Sequence, residues 1–372
     1  LNEICCNSSS FVPESVINAI IQGWKEDPDT LPFFKDRALQ DENYYVRQAA
    51  LKAIAQGWKE DPDTLLWLKD RALQDENANV REAAVTATAQ GWKEDPNTLP
   101  WLKDRALQDE HESVRYAAMD AIARNWKEDP DTLPFLKDRA LQDERERVRQ
   151  AAVIAIAQGW KEDPDTLPWL KDRALQDENW DVRQAAVKAI AESWKEDPDT
   201  LPLLKDRALQ DENYFVRQAA VTAIAQGWKE DPDTLPWLKD RALQDENYFV
   251  RQAAVIEIAK NWKEDPDTLP LLKERALQDE SEYVRLAAVK AIIRNSQEDQ
   301  ELFEFLVNIA LHDPFQREHY FQDNPRQTAL EALLKNFGDN PKTLEILNQV
   351  ALNDSDEKLR KFVQEKFRET GL

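Results

Sequence analysis

The 372-residue chain contains two cysteines, one methionine, three histidines and seven glycines. Each scarcity removes a class of protein. Cys5 and Cys6 are adjacent and have no others to pair with, so a disulfide framework and a structural zinc site are both excluded, and a reducing, cytoplasmic setting fits. With His111, His312 and His319 as the whole histidine complement, no Ser/His/Asp or Cys/His set assembles, and no metal centre is expected. Asp313 and Glu318 beside the last two histidines read as a solvated loop. The glycines are scattered singly, and no Gly-Lys-Ser/Thr is present to cradle a phosphate. No apolar run approaches the roughly 20 residues that cross a bilayer, and the opening "LNEICCNSSSFVPESV" is neither basic nor followed by an apolar stretch. Positive charge is also short: 49 Lys and Arg face 72 Asp and Glu, a net charge of −23. Such a surface repels phosphate backbones and anionic headgroups, so neither nucleic acid nor membrane is an expected partner. The missing initiator Met suggests a piece of a longer protein.

What the sequence has in abundance is repetition. Trp24, Trp58, Trp92, Trp126, Trp160, Trp194, Trp228 and Trp262 stand 34 residues apart. A fixed period of this length means stacked units, none of which buries its apolar face alone. Within a unit, Leu31, Phe34, Ala38 and Leu39 share the spacing of one helical face. Asp29 is the expected N-cap of this first helix, because Pro32 then falls third, where its missing N–H leaves no bond unmade; Asp27 as cap would put the proline deeper. After "LQDE", Asn43 caps a second helix with Val46, Ala49, Ala50, Ala53 and Ile54 as its apolar stripe. Five units carry Asn at the cap; Ser281 is expected to replace it well, His111 and Arg145 poorly. Gly23, Gly57, Gly91, Gly159 and Gly227, with Asn125, Asn261 and Asn295 elsewhere and Ser193 as the exception, are expected to close the second helix in the left-handed conformation. The tryptophans that follow read as packing, as do Trp67, Trp101, Trp169 and Trp237.

The ends differ from the middle. Residues 1–23 align with the second half of a unit, with Pro13 where other copies have Arg47. Residues 24–295 form eight near-identical repeats. Residues 296–372 form two divergent capping repeats: Arg326 to Leu333 matches Arg47 to Ile54, after an insertion near 312–324 that lengthens the connection.

Against this copying, a few positions vary. "DENYFVRQAAV" occurs at Asp211 to Val221 and again at Asp245 to Val255, yet the pair after Asn changes to "YY", "AN" or "WD" elsewhere. Variation also falls at Gln48 (Glu82, Tyr116, Leu286), Lys52 (Thr86, Asp120, Ile154, Lys188, Ile256) and Gln56 (Arg124, Glu192, Lys260). Tyr45, Gln48, Lys52 and Gln56 lie on one face of the second helix, beside the apolar stripe. Large rings bury area at low entropic cost and anchor interfaces. Tyr44, Tyr45, Tyr116, Trp180, Tyr214, Phe215, Tyr248, Phe249 and Tyr283, with Gln48, Lys52, Lys188 and Lys290, are therefore candidate partner-binding residues. The competing reading is that the rings pack on neighbouring turns.

"DENYYVRQAALKAIA" resembles the HEAT-like pattern of an acidic turn, a Val-Arg pair and an Ala-rich helix. The resemblance implies an all-α, right-handed α-solenoid of 34-residue helix-turn-helix repeats, with the second helices lining a concave, partner-binding face. It also implies that Asp41, Arg47 and their copies tie repeats together. The wording "GWKEDPDTLPWLKDRALQDEN", with the closing "NPRQTALEALLKNFGDNPKTLEIL", is similar to arrays at the C-terminal ends of cyanobacterial NACHT-type, NLR-like NTPases. This implies a non-catalytic, ligand-sensing region for a protein or peptide, with the NTPase upstream and no cofactor. HEAT-like repeats also occur in phycobilin lyases, so a chromophore-binding protein and a general assembly scaffold are alternatives. Some DNA-repair enzymes share the repeat, but they need the basic groove that this composition lacks.

Overall fold

The Asp-Pro-Asp-Thr turn that opens each regular repeat is closed by its first aspartate. In the computed structural model, which describes residues 19, 21–317, 319 and 322–370, Asp27 Oδ1 accepts the Asp29 N–H at 2.9 Å and the Asp27 carbonyl accepts the Thr30 N–H at 3.1 Å. Asp29, the expected cap, makes no side-chain cap bond, because at φ −88° and ψ −12° it is already helical. A capping side chain needs an extended backbone to fold over the first N–H groups. The helix itself starts at Thr30, which leaves Pro32 third.

The chain divides into two compact units, Leu1–Ser193 and Trp194–Leu372, with no strand among the described residues. In the first, α1 (Thr30–Gln40) pairs with α2 (Tyr44–Gly57), α3 (Thr64–Gln74) with α4 (Ala78–Gly91), α5 (Thr98–Gln108) with α6 (Glu112–Asn125), α7 (Thr132–Gln142) with α8 (Glu146–Gly159), and α9 (Thr166–Gln176) with α10 (Trp180–Ser193). In the second, the pairs are α11 (Thr200–Gln210) with α12 (Tyr214–Gly227), α13 (Thr234–Gln244) with α14 (Tyr248–Asn261), α15 (Thr268–Gln278) with α16 (Glu282–Asn295), α17 (Gln300–His312) with α18 (Pro325–Phe337), and α19 (Pro341–Asn353) with α20 (Glu357–Thr370). Each unit is an all-α solenoid of such pairs. Within a unit, each second helix packs on its own partner, and those before α20 pack also on the second helices of adjacent repeats.

That double packing widens the buried face. Leu51, which lies off the expected stripe, is fully buried, as are its copies Val85, Val153 and Val187. Leu39 is the opposite case: it and its copies Leu73 and Leu107 are 41–49% exposed. It falls roughly 80° around the helix from Leu31, at the edge of the core-facing stripe. The first helices touch through Trp and Phe rings instead, with Lys69 Nζ 5.5 Å from the Trp101 ring centre and Lys137 Nζ 5.7 Å from that of Trp169.

The second helix ends without a left-handed residue. None of Gly23, Gly57, Gly91, Gly159 and Gly227 has a φ between +20° and +160°. The Trp58 N–H still bonds the Ile54 carbonyl at 3.0 Å, and the Trp58 carbonyl then accepts the Asp61 N–H at 3.1 Å. Tryptophan, not glycine, turns the chain. At the other end, Asn43 accepts the Tyr45 N–H at 3.0 Å, and Asn77, Asn213 and Asn247 act alike. The replacements behave opposite to expectation in two of three cases: His111 Nδ1 accepts the Ser113 N–H at 3.3 Å, while Ser281 makes no cap bond. The turn before Ser281 holds because the Asp279 carboxylate accepts its N–H at 2.9 Å. Cys5, Cys6, Pro13 and Glu318 lie outside the described residues.

Candidate recognition surface

What positions the second helices is a ladder of buried ion pairs. Arg47 donates from Nε and Nη2 to Asp75 of the next repeat at 3.2 and 3.0 Å, and from Nη1 to the Asp41 carbonyl of its own at 2.9 Å. Arg81 holds Asp109 and Arg251 holds Asp279 in the same two-pronged way. Asp75 also accepts the Asn77 N–H at 2.9 Å, so one carboxylate shapes its own turn and receives its neighbour's arginine. Such fork geometry is why Arg rather than Lys serves here. The register shifts at Arg149, which turns to Asp181, at 3.0 and 3.2 Å. Asp181 is buried, so the second letter of the "WD" pair is structural, although the varying pair reads from sequence as surface.

The candidate stripe lies along the other side of the same helices. Tyr45, Lys52 and Lys188 are exposed, and Gln48 is half-buried because its Nε2 donates to the Asn79 carbonyl of the next repeat at 3.0 Å. In the first unit the Tyr44 and Tyr45 rings lie 4.0 Å apart on one helix, Tyr116 stands exposed at 45%, and Trp180 is half-buried. Among the described residues no ring contact joins Tyr44 and Tyr45 to Tyr116. In the second unit the rings do meet. Tyr214 stacks on Phe249 at 5.2 Å, Tyr248 stacks on Tyr283 at 5.3 Å, and Phe249 also lies 4.3 Å from Tyr248. These five aromatics, Phe215 included, form one stack that runs across three repeats. Burial raises the Tyr248 phenol above its ordinary pKa, with Tyr283 and Tyr214 adding to the effect.

Between α4, α6 and α8 the stripe hollows into a groove of about 610 Å³. Its walls include Tyr116, Asp120, Arg124, Arg147 and Ile154, over buried Met119. Its cations are paired internally: Arg124 with Asp120 at 2.9 Å and Arg147 with Glu112 at 3.1 Å. These wall residues occupy the positions that differ from copy to copy.

The C-terminal insertion is tied down. Arg317 donates to the Asp356 carboxylate at 2.9 Å, Asn324 Nδ2 reaches it at 2.9 Å, and Phe315 is buried. Burial alone would raise the Asp356 pKa, but the bonds from Arg317 and Asn324 outweigh it and hold the carboxyl below its ordinary range. Asp356 lies in the next repeat, so the sequence gives no cue to this pairing. The His319 N–H is held by Gln322 Oε1 at 2.9 Å. No group of three or more His, Cys, Asp or Glu side chains able to hold a metal occurs among the described residues, and none of their helices is long and apolar enough to cross a membrane.

Helix pairs repeated every 34 residues and riveted by arginine to the next acidic turn define an α-solenoid scaffold. The chain belongs to the HEAT-repeat family, whose pattern matches residues 13–89, 31–123, 65–157, 139–225, 206–293 and 235–320. No curated protein matches it. Among solved structures it is similar to YibA of E. coli, with 23% identity over 76% of this chain and 98% of that one and a TM-score of 0.41. It is also similar to Kap121p bound to Pho4p, at 15% identity over 94% of this chain with a TM-score of 0.46, and spans 42% of that chain. A chain of the Pds5–Scc1 complex matches at 14% identity over 91% of this chain and 56% of its own length, with a TM-score of 0.35.

Proposed function

We propose that the chain acts by binding rather than by catalysis, as a scaffold that recognises a protein or peptide on the faces of its second helices. The observation that carries this reading is that the groove of the first unit is walled by varying residues, Tyr116, Arg124, Arg147 and Ile154, while the ladder arginines behind it, Arg81, Arg115 and Arg149, recur at the same place in every full copy. A chain that keeps its frame and alters only one face separates stacking from recognition. Exposed Tyr116 and Ile154 supply apolar contact, and the ion pairs around them supply orientation. The test is site-specific photocrosslinking from position 116 in a host extract, with the crosslinker at exposed Leu66 on a first helix as the comparison. Adducts formed from position 116 and not from position 66 support the reading; equal labelling from both, or none from either, sinks it.

The finer reading places this scaffold at the sensing end of a NACHT-type NTPase, with the ligand shifting the upstream module between resting and assembled states. The repeat wording supports it. A full-length chain without a nucleotide-binding domain overturns it, and leaves the binding role untouched.

A further inference from the structure

In a chain with a net charge of −23, one groove of the second unit has no carboxylate in its lining. It lies between α14 and α16, has a volume of about 430 Å³, and is lined by Lys260, Lys263, Lys290 and Arg294 together with Ile256 and Leu286. Its size is that of ordinary ligand pockets, roughly 300–1,000 Å³. Two of the four cations depart from the commonest letter of their column. The position of Lys260 and Arg294 is Gln56, Gln90, Gln158 and Gln226 in other copies, with Arg124 and Glu192 as further departures, whereas Lys290 repeats the lysine of Lys52 and Lys188.

The nearby acids do not neutralise the groove. Asp323 meets Lys290 at 3.3 Å and Glu264 meets Lys263 at 3.6 Å, both through exposed side chains that an incoming anion displaces at little cost. Lys260 and Arg294 make no hydrogen bond or ion pair with any described residue. Glu257, on α14, stands where other copies have Ala, but it is buried and accepts from Gln226 Nε2 at 3.1 Å and Asn261 Nδ2 at 3.0 Å. Set against the four cations, these three carboxylates leave one positive charge in excess at the groove, in a chain that is negative as a whole. At its edge Ile256 is 45% exposed, an apolar surface that a ligand made only of charge leaves uncovered.

We infer that this groove binds an acidic segment of a partner polypeptide, one that alternates carboxylates with aliphatic side chains. The carboxylates meet the four cations and an aliphatic side chain covers Ile256 and Leu286. A nucleic acid strand fits worse, because its phosphates run on past the groove into the acidic surface around it. The inference rests on the proposed binding role and names the partner class for one part of that face.

The test is fluorescence anisotropy with the whole chain and a labelled Glu/Leu peptide, set beside a Lys/Leu peptide and an oligothymidylate. The Glu/Leu peptide is expected to bind, and more weakly as salt is raised. The double variant Lys260→Glu and Arg294→Glu is expected to weaken it by roughly tenfold or more, as reversal of two close charges in a complementary patch should. Lys127→Glu with Lys161→Glu, which removes the same charge from exposed turns of the first unit, is the control expected to bind as the parent does. Circular dichroism shows whether all three chains are equally helical. No binding of the Glu/Leu peptide, equal loss in both double variants, or stronger binding of the oligothymidylate overturns the inference. If crosslinking from position 116 succeeds while the peptide fails, only this inference falls, and the wider binding role stands.

Discussion

The two grooves use the same helix positions and reach opposite electrostatic outcomes. In the first unit, Arg124 and Arg147 each have a carboxylate within 3.1 Å on the same surface, so the groove satisfies itself and offers Tyr116 and Ile154 as apolar contact. In the second, Lys260 and Arg294 have no such partner among the described residues, and the positive field is left for a ligand. Pairing, more than the number of charges, separates a self-contained surface from an attracting one.

The frame common to both grooves should break in the same way. Arg81→Ala in the first unit and Arg251→Ala in the second each strand a buried aspartate, and each is expected to destabilise its repeat by about 3–5 kcal/mol. Urea unfolding followed by circular dichroism measures this. A loss in only one unit would mean that the ladder is not a common scaffold.

The next effect should set the units apart. Phe249→Ala removes a ring that touches Tyr214, Phe215 and Tyr248 and is expected to cost about 2 kcal/mol, from lost half-buried area and ring pairing. Ser113→Ala, at the matching place in the first unit, should change stability by less than about 0.5 kcal/mol in the same assay. Smaller again, Asn213→Ala deletes a cap and should cost about 1 kcal/mol. Ser281→Ala should cost almost nothing, because Ser281 makes no cap bond. A comparably small stability change is expected for Asp120→Lys, which breaks an exposed pair and should stay within about 0.5 kcal/mol. It also frees Arg124, so in the Lys260→Glu and Arg294→Glu background it should restore part of the Glu/Leu peptide affinity at the first groove. Anisotropy that stays at the background level would show that pairing does not govern the difference.

Much of the frame was legible in the letters. The 34-residue period, the helix pair and Pro32 at the third helical position follow from spacing and from the chemistry of proline. The details that escaped depend on dihedrals or on register between repeats. Asp27 and Asp29 are the same residue type two places apart, and only the backbone angles show which of them closes the turn. Gly57 permits a left-handed ending without requiring one. The aromatic pairs "YF" and "YF" look like two free anchors, whereas the offset between α12 and α14 stacks one on the other. Lys260 reads as scattered variation in one column, Arg294 is not singled out by sequence, and only stacking places them in one groove with Lys290. Asp181 and Asp356 accept arginines more than 30 residues away, pairings that periodicity does not announce.

The ladder also bears on how many repeats the protein can have. Arg47, Arg81, Arg251 and Arg285 each reach an aspartate 28 residues ahead, across the junction with the next copy. Excising any whole 34-residue stretch between two such rungs brings an identical aspartate to the waiting arginine. Excising one residue more or fewer leaves both buried and unpaired. Array length is therefore free to drift by entire units under unequal recombination, while a slip of one residue between two such rungs is penalised.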